Sequence, residues 1–182
     1  VAMGRAAAES WAYGDPEQYE IKAAIAAHHG VEIGNVAVGE GVDGLLGLTV
    51  QLTIAPGDRV VTSLGAYPTF NYHVAGHGGQ LDFVPYADDR EDPAALLERA
   101  RAVRPKLLYF ANPDNPTGSW WNAQTVERLM DGVPAGTLLV LDEAYSDLAP
   151  ADALPALLPF RDNVLRFRTF SKAYGMAGCM IK

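Results

Sequence analysis

At 182 residues, 49% of them hydrophobic, the sequence has the length of one domain with a core that buries roughly 70% of the unfolded surface, so a single domain spanning residues 1–182 is expected. A net charge of −8, with Lys and Arg scattered along the chain, argues against a nucleic-acid partner, and no apolar run reaches the ~18 residues of a membrane helix. One cysteine, Cys179, excludes an internal disulfide, and the opening residues lack the basic-then-apolar pattern of a signal peptide, so the expected compartment is the cytoplasm.

Taken in chain order, residues 16–29 place Ile21, Ile25 and His28 at helical spacing behind Asp15, a cap residue, and Pro16. Short apolar runs follow at Asn35–Val38, Arg59–Thr62, Leu81–Val84, Lys106–Phe110, Thr137–Leu141 and Val164–Phe167, each readable as a strand. Between them lie segments of helical length at Leu45–Ile54, Tyr67–Ala75, Pro93–Val103 and Asn122–Asp131, the third opened by Asp92 ahead of Pro93. The Pro- and Ala-rich stretch 149–160 reads as a loop with a short helical turn. Strand and helix in alternation predict an α/β fold, a mostly parallel sheet with helices on both faces.

Such sheets bind ligands beyond the carboxyl ends of their strands, and four of those ends carry chemistry. In VAVGEGVDGLLGL, Gly39, Gly41 and Gly44 form G-x-G-x-x-G. A dinucleotide site would need an acidic residue after the next strand, but Ser63 there leads to Leu64 and Gly65. What remains is a glycine loop entering a helix, suited to a phosphate, or a tight turn and nothing more. After the fourth run, NPDNPTG directs the Asn115 amide at the strand ends, unless its amide only closes an Asx turn. In LLVLDEAY, Asp142 follows a strand from the middle of the sheet, and an ionised carboxylate there needs a cation: a metal, a Lys or Arg, or a protonated ring nitrogen. A nucleotide-hydrolysing strand is excluded, since G-x-x-x-x-G-K-[ST] does not occur. After the last run, Thr169, Ser171 and Lys172 offer two hydroxyls and an amine, although most lysines are simply surface residues.

Together, YGDPEQYEIKAAIA, GEGVDGLL, YPTF, NPDNPTG, LDEAY and TFSKAYGMAG, in this order, resemble the class I/II aminotransferases of fold type I, most of all the histidinol-phosphate aminotransferase branch. The resemblance implies pyridoxal 5'-phosphate as cofactor, no metal, and an amino acid or histidinol-phosphate-like amine as donor to a 2-oxo acid. It implies that Lys172 carries the cofactor as a Schiff base, Asp142 pairs with the ring nitrogen, Asn115 and Tyr145 bond the ring's phenolic oxygen and Phe70 stacks on the ring. The backbone at Val42 and Asp43, with Thr169 and Ser171, is implied to hold the phosphate, and Tyr13 to reach the phosphate of a neighbouring subunit, hence a homodimer. A decarboxylase or lyase of the same fold would use the same Lys172 and Asp142. A non-catalytic relative is the third reading, and two departures from the family pattern favour it.

In the family an arginine eight residues after the lysine grips the phosphate; here that position is Met180, and no arginine follows Lys172. Loss of such a charge-assisted contact costs about 1.5–3 kcal/mol, which Lys182 would offset only in part. The family also continues into a small carboxy-terminal domain that holds the substrate carboxylate, and it has an amino-terminal arm. The expectation is therefore a large, cofactor-binding domain alone, truncated at both ends relative to the family.

Overall fold

The computed structural model of the chain describes residues 2–9 and 11–177. Contacts divide the chain into two units, Val1–Val38 and Gly39–Lys182. The first unit holds α1 (Ala2–Ala8) and α2 (Tyr19–His29). Helix α2 starts three residues later than the sequence pattern suggests. Asp15 accepts hydrogen bonds from the N–H groups of Glu17 (2.9 Å) and Tyr19 (2.8 Å), which closes a turn ahead of the helix. Gly30, at φ 66°, ends it and donates its N–H to the Ala26 carbonyl. The strand expected at Asn35–Val38 does not form. Ile33–Asn35 is a 3-10 turn and Val36 is extended, yet among the described residues of this unit no strand offers the ladder that an extended segment needs.

The other five apolar runs become the strands of the second unit: β1 (Arg59–Leu64), β2 (Gln80–Pro85), β3 (Leu107–Ala111), β4 (Leu138–Asp142) and β5 (Val164–Phe167). All neighbours pair in parallel, in the order β2-β1-β3-β4-β5. The helices are α3 (Gly41–Thr53), α4 (Pro68–Gly76), α5 (Pro93–Val103) and α6 (Ala123–Gly132). Alternate residues of each strand face opposite layers, as the two-residue period of a strand requires. Val60, Leu107, Tyr109 and Val140 pack with Val42, Leu46 and Val50 of α3 and Phe70 and Val74 of α4. Val61, Leu108, Phe110, Leu139 and Leu141 pack with Leu96, Leu97 and Ala100 of α5 and Val126, Leu129 and Met130 of α6. The expected α/β architecture with helices on both faces is therefore present.

Local chemistry explains the helix starts. Asp92 accepts from the N–H groups of Ala94 (2.9 Å) and Ala95 (3.1 Å), so α5 runs over the residues that the sequence marks, Pro93–Val103. Asn122 caps α6 by accepting from the Thr125 N–H at 3.0 Å. Helix α3 begins four residues earlier than its apolar pattern, at Gly41, where φ is 77°. Residues 149–160 form a loop with a 3-10 turn at Ala151–Ala153. Among the described residues no helix is long and apolar enough to cross a membrane.

The strand order has one consequence for function. From β1 the chain moves outward to β2 and then crosses back to β3, so the crevice at the carboxyl ends opens beside β1 and β3. There the two strands also part: their pairing covers Val60 with Leu107 and Val61 with Leu108.

Candidate active site

A cavity of about 520 Å³ opens over the carboxyl ends of the strands in the second unit. Its walls come from segments distant in sequence: the start of α3, the residue that follows the β1 turn, and the loops after β3, β4 and β5.

On the α3 side, Gly41, Val42 and Asp43 present the first turn of a 13-residue helix, and among the described residues no side chain caps it. Its amides and positive dipole end therefore favour an anion. The Asp43 carboxylate is drawn to His73 Nε2, 3.1 Å away. Opposite, Thr169 Oγ1 and Ser171 Oγ lie 2.8 Å apart, and Thr169 Oγ1 accepts from the Ser171 N–H at 3.1 Å. Two hydroxyls and a helix start thus face one cavity.

Asp142 ends β4 and is 6% exposed. Tyr109 donates its hydroxyl to Oδ2 (2.7 Å), and the Ala144 N–H donates to Oδ1 (2.9 Å). Burial pushes this carboxyl above its ordinary range; the two hydrogen bonds and the Lys172 charge pull it the other way, while neighbouring Glu143 adds to the rise. No cation lies within ion-pair distance of Asp142 among the described residues. Glu143 differs sharply: at 1% exposure it is held by Arg166, through Nε (3.0 Å) and Nη2 (2.6 Å), and by Arg168 Nε (3.1 Å). Adjacent carboxylates are thus one paired and one facing the cavity with no cation at ion-pair distance among the described residues.

Asn115 reaches the cavity because Asp114, its neighbour, closes the turn. Asp114 accepts from Thr117 Oγ1 (2.6 Å) and Tyr86 Oη (3.0 Å), and it is buried. The Asn115 amide makes no hydrogen bond among the described residues and lines the cavity with Pro113. Tyr145 lines it as well, and the Lys172 Nζ lies 5.5 Å from the Tyr145 ring centroid. Lys172 is exposed at the cavity edge, held in a turn whose Gly175 N–H bonds its carbonyl at 3.0 Å.

The cavity therefore brings together Val42, Asp43, Asn115, Asp142, Tyr145, Thr169, Ser171 and Lys172. Phe70 is different. It is fully buried and stacks on Tyr109, with ring centroids 4.6 Å apart, and the aromatic on the cavity wall after β1 is Tyr67. Tyr67 stands just before α4, where the chain turns, while Phe70 already lies on the helix face that packs into the core. Tyr13 belongs to the first unit, where its side chain is fully exposed. Cys179, Met180 and Lys182 lie outside the described residues. Sequence reading also passes over Tyr109. Its signal is a tyrosine amid leucines in a fully buried strand, whose hydroxyl must find a partner. Among the described residues no cluster of His, Cys, Asp and Glu could hold a metal ion.

Such a cavity can take a flat ring with an anion at one end and a cationic atom on its edge, beside an amine. The chain belongs to the family described as aminotransferase class I and II, whose model matches residues 5–181. Within it, the chain is 38% identical to a histidinol-phosphate aminotransferase from Maricaulis maris, covering 97% of this chain and 49% of that protein. It is 36% identical to histidinol-phosphate aminotransferase 1 of Mesorhizobium japonicum, covering 93% and 47%. A crystal structure of histidinol-phosphate aminotransferase from Sinorhizobium meliloti in complex with pyridoxal-5'-phosphate superposes with a TM-score of 0.94 at 56% identity, covering 97% of this chain and 49% of that one. The chain thus spans about half the length of the relatives it matches.

Proposed function

We propose that the chain is the cofactor-binding part of a pyridoxal-phosphate-dependent aminotransferase that moves an amino group from an amino acid or a histidinol-phosphate-like amine to a 2-oxo acid. The observation that carries this reading is Asp142, a buried carboxylate facing the cavity with no cation at ion-pair distance among the described residues. A protonated ring nitrogen would offer the missing charge and offset the cost of burying the carboxylate. The rest of the donor set fits the same group. Val42 and Asp43 amides with the Thr169 and Ser171 hydroxyls would hold a phosphate, Asn115 and Tyr145 a phenolic oxygen, and Lys172 Nζ an aldehyde carbon. Tyr67, on the cavity wall, takes the ring-covering role that sequence reading assigns to Phe70.

When bound, pyridoxal phosphate supplies an aldehyde that condenses with amines and a ring that draws electrons from the substrate α-carbon. The chain's own residues supply the remainder. Asp142 would keep a positive charge on the ring edge, the hydroxyls and α3 amides would fix orientation, and the Lys172 amine would carry the proton at Nζ between the substrate α-carbon and the cofactor carbon. Met180, in place of the family's arginine, would shift phosphate holding toward the helix start and hydroxyls, with Lys182 a partial substitute. A homodimer belongs to the same proposal. Leu48 and Leu52 on α3 and Tyr72 on α4 are exposed large apolar residues that a second copy would cover, and Tyr13 would serve that copy's phosphate. A cytoplasmic setting accords with a single cysteine.

The test is titration with pyridoxal 5'-phosphate, followed by its visible absorbance, for the wild type and Asp142→Asn. The Asn variant keeps side-chain size and removes the charge. The expected result is saturable binding that weakens at least about tenfold in the variant, the loss of one charge-assisted contact. Equal affinities, with both proteins folded by circular dichroism, would remove Asp142 from the site.

A further inference from the structure

Where β1 and β3 part, beyond Val61 and Leu108, a side chain fills the gap. Glu91, 1% exposed, arrives from a tight hairpin in which Ala87 bridges Arg90 and both Asp88 and Asp89 have positive φ (51° and 59°). Its Oε2 accepts from Ser63 Oγ at 2.6 Å, and its Oε1 accepts from the Ala111 N–H at 2.9 Å. Ser63 belongs to β1 and Ala111 ends β3, so one carboxyl spans both strands and takes the ladder position that a β1 carbonyl would otherwise fill.

The same hairpin grips the next residue. The Glu91 carbonyl accepts from Trp121 Nε1–H at 2.9 Å, with the Arg90 guanidinium lying over the Trp121 ring at 3.8 Å. The Trp121 N–H donates to Asn112 Oδ1 (2.8 Å), and Asn112 Nδ2 donates to the carbonyls of Trp121 (3.1 Å) and Ala153 (2.9 Å). On the other side the Asn112 N–H bonds the Asp142 carbonyl at 2.9 Å. Ala111 and Asn112 are the residues through which the chain leaves β3 for Asn115, and Ala111 itself lines the cavity. Burying an acid here is costly: burial pushes the Glu91 carboxyl up to about 8, with Asp114 and Asp142 adding to the rise against the Ser63 and Ala111 bonds. A satisfied polar bridge of this kind specifies geometry in a way that an apolar side chain of similar size cannot.

We propose that Glu91 is a positioning residue for the cavity: by bridging Ser63 and Ala111 across the parting of β1 and β3, it sets the strand end from which Asn115 reaches its ligand. The cofactor side of this inference rests on the pyridoxal-phosphate reading; the geometric side does not.

The experiment compares the wild type with Glu91→Gln and Glu91→Leu by amide hydrogen exchange without cofactor and by titration with pyridoxal 5'-phosphate. Glutamine can remake both bonds, its carbonyl accepting from Ala111 and its amide donating to Ser63; leucine can make neither. Glu91→Leu should speed exchange at Ala111 by about tenfold or more, leave the amides of Leu139–Leu141 unchanged, and weaken cofactor binding several-fold, whereas Glu91→Gln stays within about twofold on both measures. Unchanged Ala111 exchange in Glu91→Leu overturns the bridge. So does a Gln variant as impaired as the Leu one. Faster exchange with unaltered cofactor affinity overturns the positioning role. If Glu91→Leu does not fold, Ser63→Ala, which removes one anchor, should still speed Ala111 exchange about threefold, and no change there would refute the inference. A wild type that binds no cofactor sinks the proposed function, while the exchange result still decides the bridge.

Discussion

Replacing Glu91 by Gln should flatten much of the fall in stability that this protein undergoes as the pH rises through neutrality. In the folded chain burial pushes the Glu91 carboxyl from its ordinary 4.5 up to about 8. The unfolded chain therefore loses this proton first, and between the two values the folded state binds more protons. Glu91's contribution is thus fully present below its unfolded value, is lost as the pH rises toward 8, and levels off above it. At about 1.4 kcal/mol per tenfold change in proton activity, the loss between about pH 5 and pH 8 comes to about 3–4 kcal/mol, a large share of the ~5–15 kcal/mol typical of a domain. Asp142 is pushed in the same direction, so the wild-type decline has more than one source, and subtracting the Gln variant isolates Glu91. Urea unfolding followed by circular dichroism at pH 5, 6, 7 and 8 supplies both curves. The wild-type minus Gln difference should fall steadily by roughly that amount. Parallel curves would show that Glu91 titrates as an exposed acid and would refute the reasoning.

Two further substitutions test the polar architecture. Tyr109→Phe deletes the hydroxyl that donates to Asp142 at 2.7 Å while leaving the Phe70 stack; it should cost about 1–3 kcal/mol in urea unfolding and weaken cofactor binding as the Asp142 carboxyl rises further. Arg166→Met strips Glu143 of its two-bond partner inside the protein and should cost about 3 kcal/mol or more by the same measurement, most of it recovered when Glu143 is also made Leu.

Some of this was written plainly in the sequence and some was not, for physical reasons. Five of six apolar runs became strands because each is long enough to be buried and has a neighbour to pair with. Asn35–Val38 is just as apolar but has no partner strand among the described residues of its unit, and pairing is not a local property. Helix α5 could be bounded from Asp92 and Pro93, whose capping chemistry acts within three residues. Asp142, Asn115 and Lys172 stand out as polar groups at strand ends or in the loops that follow them, where topology brings distant segments together. That Tyr67 lines the cavity while Phe70 is buried is not legible locally, since it depends on where α4 starts and which face packs on Tyr109. Glu91 was hidden for the opposite reason: in the acidic run DDRED it looks like solvated loop, and only the parting of β1 and β3 gives it a buried place.

We propose that Lys172, at the edge of a cavity with a buried Asp142, is the residue that takes pyridoxal 5'-phosphate. The most direct measurement is reduction of the cofactor-loaded chain with borohydride, followed by peptide mass spectrometry. A pyridoxyl-phosphate mass should be added to the peptide containing Lys172 in a single equivalent, with none in Lys172→Ala. Labelling spread over Lys22, Lys106 and Lys182, or no label on Lys172, would contradict it.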